Sequence, residues 1–236
     1  LEALTDPLNS IVSAVKSALE QTPPDLKVDA MSGLAAVLDD SGDLAGAENL
    51  YEESLRMSPA PYLHYNIART LRRAKKYELA IAHILKAVEA EPANYNFVLA
   101  QSEILFEVEL LNKAFDAYKV ASELMPDEIY PRFMMGYTAG RLRLGQTAFN
   151  EYNKLLMAKI DPEIRGAIYK GIGNIYHDQG DYTQAIASYK EGTAYLLKDA
   201  NLYYNIARTY FQMGRLDEAH AALQRSLALD PKSTES

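Results

Sequence analysis

The chain has 236 residues, a formal net charge of −8 and no cysteine, which excludes a disulfide framework or a thiolate zinc site. Its acidity argues against general affinity for nucleic acid or anionic membranes. Hydrophobic residues reach 48%, ample for a continuous core, and no apolar stretch approaches the ~20 residues needed to insert into a membrane.

Residues 5–21 read as an amphipathic helix. Asp6 suits its N-cap, Pro7 its first turn, and Pro23-Pro24 its end. Leu8, Ile11, Val12, Val15 and Leu19 share one face, with Lys16, Ser17 and Glu20 on the other. On geometry this helix is a cap for the segment that begins at residue 28. Residues 2–26 also carry a Pro-Leu pair, Ile-Val-x-Ala-Val, Ala-Leu-Glu-Gln and a Pro-Pro-Asp-Leu exit. In these features the segment is similar to one near the C-terminal end of MreB, the bacterial actin homologue. It covers about a tenth of the chain and brings no part of the actin nucleotide site, so it implies no ATP binding. A fused fragment acting as a tethered ligand, a junction introduced by cloning, and chance similarity all stay open. Residues 1–27 therefore form a first segment and residues 28–236 a second.

The second segment repeats. Its last unit begins at Ala200 with helical spacing in Tyr203, Ile206, Ala207 and Tyr210, and breaks at Gly214. It resumes in Ala219, Leu223, Ser226 and Leu227 and stops at Pro231. Matching units start near 28, 61, 95, 129, 166 and 200, at spacings of 33, 34, 34, 37 and 34. The extra residues fall near 159–163. Position 8 is always small (Ala35, Ala68, Ser102, Gly136, Gly173, Ala207), and position 20 is always alanine (Ala47, Ala80, Ala114, Ala148, Ala185, Ala219). Position 24 carries a large knob: Tyr51, Ile84, Tyr118, Tyr152, Tyr189, Leu223. Position 32 is proline at 59, 92, 126 and 231, but Ile160 and Leu197 in the other two. Small residues facing large ones are what closely packed helix pairs require.

This pattern resembles the tetratricopeptide repeat, a 34-residue helix-turn-helix unit. The resemblance implies an all-α, right-handed superhelical solenoid of six repeats, preceded here by the N-terminal helix. It also implies that positions 2, 5, 6, 9, 12 and 13 of each first helix face a concave groove. By that rule Tyr65, Asn66, Arg69, Arg72 and Arg73 point inward, whereas Lys75 and Lys76 read as a solvated helix end. Leu99, Glu103, Phe106 and Glu107, then Phe133, Met134, Tyr137 and Arg141, form a more apolar middle.

Lys170, Asn174, Asn205 and Arg208 occupy groove positions of the last two units. They resemble part of the carboxylate clamp by which chaperone-binding members hold an acidic C-terminal peptide. Converging charged donors are what a carboxylate needs. The family clamp draws two further basic residues from a third repeat, and the chain ends at Ser236, so the clamp is incomplete. Asn205 also fits a plain backbone-bonding role. The hexapeptide YNIART occurs at 65–70 and again at 204–209, consistent with two similar contact patches or with simple duplication.

His64, His83, His177 and His220 match no metal-ligand spacing, and no phosphate loop or nucleophile motif is present. The expectation is a non-catalytic, cofactor-free scaffold for protein–protein interaction, cytoplasmic and bacterial. It would bind a peptide, helix or partner domain, with acidic groups meeting Arg69, Arg72 and Arg73 at one end and Lys170, Asn174 and Arg208 at the other. A self-associating scaffold and a module cut from a larger enzyme or signalling protein are the alternatives. The chain opens on Leu1 rather than Met, which keeps the second of these open.

Overall fold

The structure, a computed structural model, describes residues 10, 12–15, 17–19 and 22–230. The repeats form twelve helices. They are α1 (Pro24–Ser41), α2 (Leu44–Met57), α3 (Pro61–Arg73), α4 (Tyr77–Ala90), α5 (Tyr95–Glu107) and α6 (Leu111–Leu124). Then come α7 (Ile129–Arg141), α8 (Gly145–Leu156), α9 (Pro162–Asp178), α10 (Tyr182–Thr193), α11 (Ala200–Gln212) and α12 (Leu216–Leu229). The described residues contain no strand. None of their helices is long and apolar enough to cross a membrane. This is the all-α tetratricopeptide-repeat fold.

Two compact units divide the chain, Leu1–Ala117 and Tyr118–Ser236. Within each, paired helices form hairpins (α1 with α2, α3 with α4, α7 with α8, α9 with α10, α11 with α12). The second helix of one hairpin packs on the first of the next, as α2 does on α3 and α10 on α11.

Four first helices begin at the expected starts, Pro61, Tyr95, Ile129 and Ala200. Helix α9 begins earlier, at Pro162, and runs for 17 residues rather than the 13 of α7 and α11. The inserted residues near 159–163 are thus largely absorbed as an extra N-terminal turn, with Pro162 at a position where its missing N–H costs nothing.

The turn inside every hairpin is the same. Gly42, Lys75, Glu109, Arg143, Gly180 and Gly214 all have positive φ, between 59° and 91°. All six stand at position 15 of their repeats. The position-15 N–H donates to the carbonyl of position 12, and the position-16 N–H to that of position 11, at 2.9–3.1 Å in all six turns. This is the Schellman arrangement that satisfies the last carbonyls of a helix. Three of the six use a residue with a Cβ, which carries a left-handed penalty that glycine escapes.

The expected small-to-large packing is present. All six position-8 residues and all six position-20 alanines are buried. A Cβ on Gly136 would lie 2.6 Å from the Tyr152 ring, one on Gly173 would lie 2.4 Å from the Tyr189 ring, and one on Gly171 would lie 2.6 Å from the Tyr152 hydroxyl. The knobs Tyr51, Ile84, Tyr118, Tyr152 and Tyr189 are buried, but Leu223 of the last repeat is 38% exposed.

Val12 and Leu19 pack against the core cluster of the first unit, which Met31, Ala35, Leu38, Leu50 and Leu63 help to build. Val15 of the same face is half-buried, whereas Leu8 and Ile11, with Pro7, Glu20 and Gln21 of the MreB-like segment, lie outside the described residues.

Candidate functional site: two arginine-bearing faces

In the first unit the groove positions of α3 and α5 are tied to each other. Arg72 reaches across to α5, where its Nε donates to Glu107 Oε1 at 2.8 Å and its Nη1 pairs with Glu103. Burial works against the Arg72 charge, but the two carboxylates more than offset it and hold the guanidinium protonated. Arg73 Nη1 donates to Asp39 Oδ2 at 2.6 Å and to the Asp39 carbonyl at 2.7 Å. Asp39 is only 7% exposed, so Arg73 neutralises a nearly buried carboxylate. The expectation that Arg72 and Arg73 wait for acidic groups of a partner is therefore revised. Their charges are already matched by Asp39, Glu103 and Glu107.

Arg69 differs. It is exposed, with its Cζ 5.5 Å from the centre of the Tyr65 ring, and Tyr65 in turn lies 5.1 Å from Phe97. Asn66 and Phe106 are half-buried on the same two helices. The Tyr51 hydroxyl is pushed up to about 12, by burial first and then by Asp39, with Arg69 pulling the other way.

His64 and His83 face each other with Nδ1 atoms 3.0 Å apart, and His83 Nε2 lies 3.5 Å from Glu52. One ring must donate and the other accept, so the contact requires at least one neutral nitrogen. Burial holds both below the ordinary histidine range, helped at His64 by His83 and Lys86 and opposed at His83 by Glu52.

In the second unit, groove residues of three repeats converge. Helices α7, α8, α9 and α11 and the turn after α7 line an open pocket of about 380 Å³. Tyr137, Gly140, Arg141, Arg143, Tyr152, Gly171, Asn174, Ile175, Asp178, Asn205 and Arg208 line it. Five residues singled out from the sequence meet here: Tyr137, Arg141, Asn174, Asn205 and Arg208.

Their scaffold is a bonded pair of amides. Asn174 Oδ1 accepts from the Tyr189 hydroxyl at 2.7 Å and from Asn205 Nδ2 at 3.0 Å. Both lone pairs of that oxygen are used, which leaves the Asn174 amino group as a donor. The nitrogen of Asn205 is thus committed to a side chain of the preceding repeat rather than to backbone. Burial pushes the Tyr189 hydroxyl well above the usual phenol range, with the nearby Arg208 charge opposing.

The Thr209 hydroxyl donates to the Asn205 carbonyl at 2.7 Å, so at 2.9 Å it can only accept from His177 Nδ1. His177 Nδ1 therefore carries a proton and donates it to Thr209. Burial and then Arg208 hold His177 below the ordinary range, with Asp178 opposing.

Three expected groove residues lie elsewhere. Lys170 Nζ is held by Asp199 Oδ2 at 2.6 Å, while Asp199 Oδ1 caps α11 by accepting from the Leu202 N–H at 2.9 Å. Lys170 is a tie between repeats and lines no part of the pocket. Phe133 leans on the Tyr152 ring, with centroids 6.2 Å apart. Met134 is 9% exposed and belongs to the core, although it stands at a groove position. Two charged pocket residues were not singled out from the sequence. Asp178 stands at position 13, which the groove rule includes. Arg143 stands at the left-handed turn position, which a rule for first-helix faces does not cover.

No group of three or more His, Asp or Glu among the described residues could hold a metal ion.

Comparison with known proteins agrees with the repeat register. Tetratricopeptide-repeat family models match residues 33–96, 173–214 and 200–233. The TPR repeat-containing protein YpiA of Bacillus subtilis is 30% identical over 99 residues, 42% of this chain and 23% of YpiA. Mouse tetratricopeptide repeat protein 21A is 25% identical over 173 residues, 73% of this chain and 12% of that protein. The chain thus spans less than a quarter of the length of either relative. A tetratricopeptide repeat protein from Parabacteroides merdae superposes with a TM-score of 0.76 at 19% identity, covering 86% of this chain and 80% of its own. Pseudomonas aeruginosa pilF gives 0.66 at 18% identity, covering 90% and 96%. The APC/C hetero-tetramer Cut9-Hcn1 gives 0.64 at 17% identity, covering 97% and 44%. At these identities the structures speak for the fold alone. Tetratricopeptide repeats in general mediate contacts with proteins or peptides and are not catalytic.

Proposed function

We propose that the chain is a non-catalytic interaction scaffold that takes a protein segment bearing acidic groups against the groove positions of its second unit. One observation carries this reading. Arg143 and Arg208 line a pocket together with the Asn174 amide, and neither has a carboxylate ion-pair partner among the described residues. Charged donors make stronger bonds to an incoming carboxylate than neutral ones do. On the first unit, Arg69 with Tyr65 offers a smaller cationic and aromatic contact. The Cut9-Hcn1 assembly is a precedent for such a fold holding a second chain.

Selection of unmodified random peptides on the whole chain tests the reading. Recovered peptides should be rich in Asp and Glu and should lose most of their binding to the Arg208→Glu variant. Recovery of peptides without acidic residues, or equal binding by the variant, would refute it.

A self-associating scaffold is the second reading. It is favoured by Leu223, the one knob of its column left 38% exposed, in a repeat that also exposes Phe211 and Leu216. Light scattering across a concentration series that shows only monomer would remove it. We also propose that residues 1–27 cap the first repeat, on the packing of Val12 and Leu19. Deleting residues 1–21 should then lower the melting temperature, and an unchanged melting temperature would remove the cap.

A further inference from the structure

The pocket of the second unit is built from arginine and amide rather than lysine. Lys170, the lysine closest to it in the repeat pattern, is withdrawn onto Asp199 at 2.6 Å. The pocket keeps Arg143 on the turn, Arg208 on α11, Arg141 as a third lining guanidinium, and the Asn174 amino group held by its bonds to Tyr189 and Asn205. A single carboxylate, Asp178, lines the same space. Guanidiniums present paired N–H groups in a fixed fork that matches two oxygens at once. Two of them facing one cavity, without a carboxylate partner of their own, suit a ligand with two negative charges and three acceptor oxygens better than a lone carboxylate.

We infer that the pocket formed by Arg143, Arg208 and Asn174 is a phosphate-monoester site, and that the segment held by this scaffold carries a phosphorylated side chain there. The inference rests on the groove reading proposed for the second unit and specifies its ligand. A phosphorylated serine, threonine or tyrosine brings close to two charges at neutral pH and three strong acceptors, the inventory that arginine clusters read. Recognition is non-covalent, and the unmodified side chain would leave both guanidiniums without a counter-charge.

The test uses the whole chain and four probes: an acetylated, amidated phosphoserine tripeptide, its serine form, its glutamate form, and inorganic phosphate. Binding is followed by calorimetry and by the arginine side-chain NMR signals. The phosphoserine peptide should bind at least roughly tenfold more tightly than the glutamate form, since a second charge-assisted contact is worth that much. It should also bind more tightly than inorganic phosphate, which locates the source in the peptide.

Arg143→Gly is the decisive variant. Arg143 holds φ at 59°, so glycine removes the guanidinium while relieving the backbone, and lost binding is not lost folding. Arg143→Gly and Arg208→Gln should each weaken the phosphopeptide roughly tenfold, while Arg69→Gln on the other unit should not. Equal affinity for the phosphoserine and glutamate peptides, or unchanged phosphopeptide binding by both pocket variants, overturns the phosphate site. Glutamate binding that matches phosphoserine binding and depends on Arg208 would do so while leaving the acidic-segment reading standing. Preference for inorganic phosphate over the peptide also overturns it.

Discussion

The hexapeptide Tyr-Asn-Ile-Ala-Arg-Thr occurs once in each unit, at the same repeat positions, with different consequences. In the first unit its arginine, Arg69, lies over Tyr65 on a face already supplied with Asp39, Asp40, Glu103 and Glu107, and Arg72 and Arg73 are consumed by that supply. In the second unit its arginine, Arg208, lines the pocket, and its asparagine, Asn205, bonds Asn174. The preceding repeat has Ala36 where the later one has Asn174. A repeat motif sets where side chains stand, and the neighbouring repeats decide what those side chains do. One face is closed by internal ion pairs, and the other is left with donors to spare.

The largest effect expected on this contrast comes from the layer beneath the pocket. Tyr189→Ala should cost about 3–5 kcal/mol, because it empties the space facing Gly173 and removes the hydroxyl that holds Asn174. Denaturation should show the loss, and Tyr189→Phe should cost only about 1 kcal/mol while still loosening Asn174. A near-equal cost for the two would mean that the hydroxyl, not the ring, dominates.

The arginines themselves rank second. Arg73→Ala should destabilise by roughly 1–2 kcal/mol, since it strands the Asp39 carboxylate. Arg208→Ala, with no carboxylate partner to strand, should stay within about 0.5 kcal/mol. Equal stability losses would erase the distinction between a structural and a receptive face.

A smaller effect, of opposite sign, is expected at the turns. Lys75→Gly relieves a left-handed residue at φ 59° and should stabilise the first unit by up to about 1 kcal/mol. The mirror change, Gly180→Ala, should destabilise the second unit by a similar amount. A destabilised Lys75→Gly protein would show that the turn residue is held by its side chain.

The smallest effect is pH-dependent. His64, His83 and His177 are all held below the ordinary histidine range of about 6.5, so the unfolded chain binds protons that the folded chain refuses. Their contribution is therefore fully present above about 6.5 and is lost as pH falls through that value toward the folded ones. Melting temperature should drop across that window. His83→Gln should flatten the drop arising in the first unit and His177→Gln that in the second. A melting temperature indifferent to pH from about 7 down to about 5.5 would contradict both placements, the window being the one set by the ordinary value.

Much of this was legible without coordinates, because periodic packing is a local matter. A small residue at position 8, alanine at 20 and a large ring at 24 must recur whenever identical hairpins stack, and the buried Gly173 and Tyr189 repeat what Ala35 and Tyr51 already announce. The groove positions of Asn174, Asn205 and Arg208 came from the same register. Three things were decided only by tertiary structure. Whether an inward arginine is free depends on residues some 30 positions away, as Glu103 is from Arg72 and Asp39 from Arg73. Lys170 was lost to Asp199 through a cap belonging to the next repeat. Arg143 joined the pocket because its turn is left-handed, a conformation that glycine signals at Gly42, Gly180 and Gly214 but that an arginine conceals. Electrostatic matching is settled between helices, over distances that a single repeat does not contain, whereas helix period and close packing are settled within one.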